Sequence, residues 1–162
     1  MTSPADYFSH QASNYASSRP SYPSELFDYL AGLSTTNVRA LDCATGNGQA
    51  AIALSCRFDE VFASDLSHKQ LLEAVPSNNI HYLCATAENL PIASNSIDLL
   101  TVAQAWHWFK ADRFEQEANR VLRPGGLLAI WGYNLLRVSS AIDELIHDFY
   151  FEQLKNYWPD ER

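Results

Sequence analysis

The chain has 162 residues, 47% of them hydrophobic and 19% charged, which suits one domain with a sizeable core and excludes a disordered chain. A formal net charge of −8 argues against nucleic acid as a partner, because phosphate backbones are normally met by a basic face. The three cysteines, Cys43, Cys56 and Cys84, have no CxxC spacing, so reduced thiols in a cytoplasmic setting are expected, and no metal site.

The opening MTSPADYFSHQ lacks the basic-then-apolar order of a signal peptide, and no apolar stretch reaches the roughly 20 residues that span a bilayer. Residues 1–33 read as an N-terminal arm and a helix. The arm carries Tyr7, Phe8, Tyr15, Arg19 and Tyr22, whose flat rings and guanidinium fork suit a flap over a pocket. The helix begins around Pro23, turns Leu26, Phe27 and Leu30 inward and is expected to end at Gly32.

Strands and helices then alternate over 38–133. Strand one is expected over Val38 to Asp42, and its helix over Gln49 to Cys56. Strand two runs from Val61 to Ser64 and ends in Asp65, and Ser67 caps the next helix. Strand three covers Ile80 to Cys84, and strand four covers Ile97 to Ala103, apolar enough to be buried on both faces. A helix over Asp112 to Leu122 turns Phe114, Ala118 and Val121 inward and is broken by Arg123-Pro124-Gly125-Gly126; strand five follows from Leu127 to Tyr133. Ser140 and Asp143 have capping-box spacing for a last helix within 139–158, with Leu145, Ile146, Phe149 and Leu154 as its apolar side. This alternation predicts a doubly wound parallel α/β sheet in a single domain over 1–162.

The chain is organised around Leu41 to Ala50, LDCATGNGQA: the end of a strand, one acid, a small-residue turn and a helix start. Such a turn sits at the carboxyl end of a strand, where open α/β sheets bind ligands. Asp42 separates two cofactor classes. A pyrophosphate gains nothing from a carboxylate just before the turn, whereas a ligand with a cationic end does. A nicotinamide-dependent oxidoreductase is therefore the weaker alternative. Asp65, 23 residues after Asp42, is placed either to accept both hydroxyls of a ribose or to cap the helix that follows it.

The order D-x-A-x-G-x-G from Asp42, the strand-two Asp65, ATAENLP with SNSIDLL, and LRPGG before an apolar strand together resemble the class I S-adenosylmethionine-dependent methyltransferases of the type 11 group. The resemblance covers about Val38 to Tyr133. It implies a Rossmann-like fold with S-adenosylmethionine as cofactor. Asp42, Ala44, Gly46 and Gly48 would line its methionine half, Ala44 standing where the family usually has glycine. Asp65 would hold the ribose, Leu66 would cover one adenine face, and Thr86 and Ala87 would meet the adenine edge. Gln104 would lie beside the transferred methyl.

The segment AQAWHWF, Ala103 to Phe109, and the pattern Tyr15, Arg19-Pro20, Tyr22-Pro23 resemble the trans-aconitate methyltransferase-like group. They imply a small carboxylic acid as acceptor, with Tyr15, Arg19, Trp106 and His107 binding it and His107 and Arg19 as catalytic candidates. Trp106, His107, Trp108 and Phe109 could instead simply pack under the helix that follows. Members of the family continue with two further strands. The resemblance thus implies a sheet truncated after strand five, whose apolar run LLAIWGY would form an edge. A fragment of a longer chain, a dimer or partner on that edge, or a module that binds cofactor without turnover are the readings this leaves open.

Overall fold

The computed structural model describes residues 22–133 and 135–157. The chain divides into two compact units, the first ending at Trp131 and the second starting at Gly132.

In the first unit, helix α1 (Ser24–Leu33) precedes strand β1 (Arg39–Cys43), helix α2 (Gln49–Ser55), strand β2 (Glu60–Asp65) and the short helix α3 (His68–Leu72). Strands β3 (Ile80–Cys84) and β4 (Ile97–Ala103) follow. A 3₁₀ turn (Trp106–Trp108) leads to helix α4 (Ala111–Val121) and strand β5 (Leu122–Trp131). The strands pair in parallel in the order β3-β2-β1-β4-β5. The chain therefore winds outward from β1 to β3 and then crosses back to β4, which puts the topological switch between the carboxyl ends of β1 and β4.

Period-two alternation along the strands feeds two cores, one on each face. Ala40, Val61, Ala63 and Leu99 face Phe27, Leu30, Ala51 and Leu54 of α1 and α2. Leu41, Cys43, Leu100 and Val102 face Phe114, Ala118 and Val121 of α4. Every residue of β4 is buried, as its unbroken apolar run predicts. Its one acid, Asp98, starts the strand and closes the amino end of the sheet. It accepts the Thr36 hydroxyl, the backbone N–H groups of Val38 at 3.1 Å and Arg39 at 2.7 Å, and the Arg123 guanidinium at 2.8 Å.

Most boundaries shift by one or two residues, strand five ending at Trp131 rather than Tyr133, and three differences have a structural cause. Helix α1 runs through Gly32 to Leu33, and the Ser34 N–H closes its last turn on the Leu30 carbonyl; glycine weakens a helix without ending it. Strand β5 takes in Leu122 to Gly126, which the Pro-Gly-Gly run had marked as a break. Leu122 pairs with Ile97, the register shifts before Leu99–Leu127, and Gly125 takes a left-handed φ of 80°. The run is thus a bulge on an edge strand, where a proline costs no ladder bond.

The third difference lies in the second unit, which holds helix α5 (Ser140–Asp148), a π turn (Phe149–Gln153) and a 3₁₀ turn (Lys155–Tyr157). The residue before α5 is Ser139, not Ser140, and it makes no side-chain cap. Asp143 instead accepts the Val138 N–H at 2.8 Å. Leu145 and Phe149, expected to pack, are 71% and 53% exposed, and Pro159 lies outside the described residues. No described helix is long and apolar enough to cross a membrane.

Candidate functional site

The turn after β1 is built from left-handed residues. Ala44, Gly46 and Gly48 have φ of 56°, 59° and 87°. Alanine in that region costs on the order of 1 kcal/mol, so Ala44 is a strained residue held by its surroundings. Gly48 is required for a reason that its sequence context does not reveal. A Cβ there would stand 2.6 Å from the hydroxyl of Tyr82, which reaches in from β3 and donates to the Val75 carbonyl at 2.8 Å. A protein side chain makes a close approach here.

Asp42 is 1% exposed. Its Oδ2 accepts the Thr45 hydroxyl at 2.5 Å and its Oδ1 the Thr101 hydroxyl at 2.8 Å. The carboxylate therefore sits under the turn, bonded to the buried Thr45 within it. Burial pushes the Asp42 carboxyl up to about 6; the two hydroxyls oppose the rise and the nearby Asp65 charge adds to it. Sequence reasoning missed Thr101, although a signal was present. It is the polar residue late in an otherwise apolar strand, and it stands opposite Asp42 in the ladder. Burial also pushes the Cys43 thiol up to about 12, so that cysteine is an inert part of the core.

Asp65, at the end of β2, is locked onto the same turn. Its Oδ2 accepts the Gly46 N–H and its Oδ1 the Ser67 N–H, both at 2.8 Å. Ser67 in turn caps α3 by accepting the Gln70 N–H. Capping is thus shared between Asp65 and Ser67, and the Gly46 and Ser67 N–H groups orient the carboxylate. Leu66 beside it is exposed. Thr86 and Ala87 follow β3 in a loop closed by a Thr86–Asn89 bridge, and Ala87 is buried. Glu117 and Arg120 of α4 hold that loop from behind, Glu117 accepting the Leu90 N–H and Arg120 donating to the Leu90 and Ile92 carbonyls. The Arg120 guanidinium keeps the Glu117 carboxyl below its ordinary value.

Gln104 leaves β4 with a left-handed φ of 60° and a buried Nε2 that has no hydrogen-bond partner among the described residues. Gln49, the first residue of α2, has a buried Oε1 in the same condition. The aromatic turn beyond Gln104 divides. Trp106 packs edge-on against Phe109 and Phe114 yet remains 40% exposed. His107 is exposed, with its ring 4.8 Å from that of Trp108. Glu88 accepts the Lys110 N–H at 3.0 Å, which ties this turn to the loop of Thr86 and Ala87. Tyr15 and Arg19 lie outside the described residues. Among the described residues no group of three or more His, Cys, Asp or Glu is placed to hold a metal ion.

The carboxyl ends of β1, β2 and β4 therefore offer an oriented carboxylate, a turn with a buried negative charge beneath it, and two unmet amide atoms. That donor set fits S-adenosylmethionine, whose ribose needs a carboxylate and whose amino-acid end carries a cation. It offers a pyrophosphate no positive charge.

Comparison with known proteins gives a consistent picture. A family model described as "Methyltransferase domain" matches residues 41–130. A Dictyostelium discoideum protein described as a methyltransferase is 34% identical, over 100% of this chain and 66% of its own length. A Mycobacterium tuberculosis protein described as an uncharacterized methyltransferase is 41% identical over 72% of this chain and 47% of its own. Among solved structures, an Anaeromyxobacter dehalogenans protein described as a type II methyltransferase superposes with a TM-score of 0.75 at 38% identity, covering 87% of this chain and 60% of that one. The chain thus spans about half to two thirds of the length of these relatives.

Proposed function

Because the chain belongs to the methyltransferase domain family, whose cofactor is S-adenosylmethionine, we propose that it transfers the cofactor's methyl group to a carboxylate oxygen of a small acid. The observation that carries the cofactor half of this reading is Asp65, oriented on the glycine turn by the Gly46 and Ser67 N–H groups. The bound cofactor supplies an electrophilic methyl group on a good leaving group. Asp65 would accept the ribose hydroxyls and Leu66 would cover the adenine. Thr86 and the Ala87 backbone would meet the adenine edge. The turn from Ala44 to Gly48, with Asp42 beneath it, would receive the methionine half, and Gln104 would lie nearest the methyl.

The protein's task is then alignment, which is worth roughly 7–11 kcal/mol when reacting atoms are held in line. A carboxylate is ionised at neutral pH and needs no general base. It needs a clamp, and Arg19 and His107 are the candidates, with Tyr15 and Trp106 as flat walls. An alcohol or amine acceptor would instead make His107 the base.

Calorimetric titration with S-adenosylmethionine and S-adenosylhomocysteine, with NAD as control, tests the cofactor. Saturable binding of the first two alone is the expected result, and binding of NAD instead would overturn it. Transfer of a labelled methyl group to a panel of small mono-, di- and tricarboxylic acids tests the acceptor. A base-labile product is expected, since a methyl ester hydrolyses where a methyl ether or amine does not.

A second reading is a cofactor-binding module that acts through a partner or a second copy on the edge strand. It is favoured by Leu128 and Ile130 of β5, which are 37% and 42% exposed. Light scattering discriminates between them, because a monomer that methylates small acids needs no partner.

A further inference from the structure

The loop after β3 carries the sequence ATAENLP, Ala85 to Pro91, of which Thr86 and Ala87 have been given a role. Glu88 follows them directly. Its Oε1 accepts the backbone N–H of Lys110 at 3.0 Å, across 22 positions of sequence. Lys110 is the residue before α4, and its side chain makes no cap. A helix start is often closed by a carboxylate three residues in, which reaches back to the N-cap N–H. In α4 that position is Arg113, which has no acceptor to offer. Glu88 fills the place from another loop.

The contact joins two parts of the proposed site. On one side is the loop of Thr86 and Ala87. On the other, the 3₁₀ turn Trp106–Trp108 runs through Phe109 into Lys110. Trp106 and Phe109 both pack on Phe114 near the start of α4, so the turn and the helix start form one body. The loop is fastened to α4 a second time, about 10 Å further along the helix axis. There Glu117 accepts the Leu90 N–H at 2.6 Å, and Arg120 donates to the Leu90 and Ile92 carbonyls. The two clamps differ in kind. Glu117 is buried and paired with Arg120, so it belongs to the core. Glu88 is half-buried, and its bond can be removed without opening the core.

We infer that Glu88 is a positioning residue for methyl transfer: by holding the Lys110 N–H it sets the aromatic turn of Trp106 and His107 against the loop that meets the adenine, so that bound cofactor fixes the acceptor wall. This rests on the reading proposed above. It gives the acid of the ATAENLP motif a task that involves contact with neither cofactor nor acceptor.

The test reads the tryptophans of the full chain, labelled with ¹⁵N, with S-adenosylhomocysteine as the probe. Trp106→Phe and Trp108→Phe identify two indole resonances by their loss. In the unsubstituted chain the probe is expected to move both, at the midpoint that calorimetry gives for its binding. The bond is then removed from each side. Glu88→Ala deletes the acceptor, and hydrogen exchange at the Lys110 N–H should quicken about fivefold, the factor for one net hydrogen bond. Lys110→Pro deletes the donor and fits the backbone, since Lys110 has a φ of −79° and Phe109 before it is extended at ψ 151°. In both variants the probe should bind with nearly unchanged affinity while the two indole resonances cease to follow it. The double variant should match either single one, because the same bond cannot be lost twice.

Indoles that still follow the probe in either folded variant reduce the bond to a structural one and overturn the inference. Indoles that ignore the probe in an unsubstituted chain that binds it overturn the inference and leave the cofactor reading standing. An unsubstituted chain that gives no calorimetric binding sinks the cofactor reading, and the inference falls with it.

Discussion

The two ends of the sheet treat their buried acids in opposite ways. At the amino end, Asp98 is 2% exposed and is met on both oxygens by a hydroxyl, two backbone N–H groups and a guanidinium. At the carboxyl end, Asp42 is equally buried but is met by two neutral hydroxyls, and its carboxyl is pushed up to about 6. The same end collects the left-handed Ala44 and Gln104 and the unmet atoms of Gln49, Gln104 and Trp131. An acid placed for stability has its charge compensated. Asp42 has no cation within ion-pair distance among the described residues, and its burial is correspondingly costly. The amino end is not free of such features, since Asn95 is left-handed and the Arg123 Nε is unmet; the contrast between the ends therefore rests on how the two acids are compensated.

Four substitutions break or sharpen that contrast. Arg123→Ala should have the largest effect on stability. It strips the cation from a buried acid and should cost about 3 kcal/mol in chemical denaturation, near the low end for such pairs, because the Arg123 side chain is 30% exposed. S-Adenosylhomocysteine affinity of the folded fraction should not change; a loss there would mean that the two ends are not separable. Gly48→Ala should cost about 2 kcal/mol, from a left-handed φ and displacement of Tyr82 from its bond to Val75. Tyr82→Phe in that background should return part of it, and failure to do so would remove Tyr82 as the reason for the glycine.

Asp65→Ala should lower cofactor affinity at least tenfold by calorimetry, since it deletes a two-oxygen charged acceptor. Unchanged binding would end the ribose assignment. Asp42→Asn should have the smallest effect and the opposite sign, stabilising the cofactor-free chain by about 1 kcal/mol at pH 7.5, because it removes a buried charge. A carboxyl raised from 3.8 to about 6 holds its proton more tightly folded than unfolded. Its penalty is therefore complete above about pH 6, shrinks as the pH falls below that, and is gone near 3.8. The advantage of the variant in thermal melts should shrink in step between pH 7.5 and 5. An advantage that does not depend on pH would mean that Asp42 is not the titrating group.

Much of the framework was legible because it rests on local chemistry. Ile97 to Ala103 read as a doubly buried strand from its unbroken apolar run, and Ser67 read as a cap from its place before the helix. Phe114, Ala118 and Val121 read as the buried face of α4 from their spacing. The errors fell where distant neighbours decide. Pro-Gly-Gly signals a break along the chain, yet Ile97 across the ladder turns it into a bulge. Leu145 and Phe149 have helical spacing, but spacing cannot say what an apolar face meets.

The candidate site shows the same division. Asp42, Gly46, Gly48 and Asp65 stand out in the sequence because a strand-turn-helix junction leaves few residue types that suit it, and because an acid at a strand end is conspicuous. Tyr82 over Gly48 and Thr101 under Asp42 are separated from their partners by 34 and 59 positions. Nothing in local propensity or periodicity links residues so far apart. Chain-local chemistry determined which elements form and where the turn lies. Only the parallel register, which sets β1 against β4 and β4 against β5, decided which side chains complete the turn and which polar atoms are left unmet.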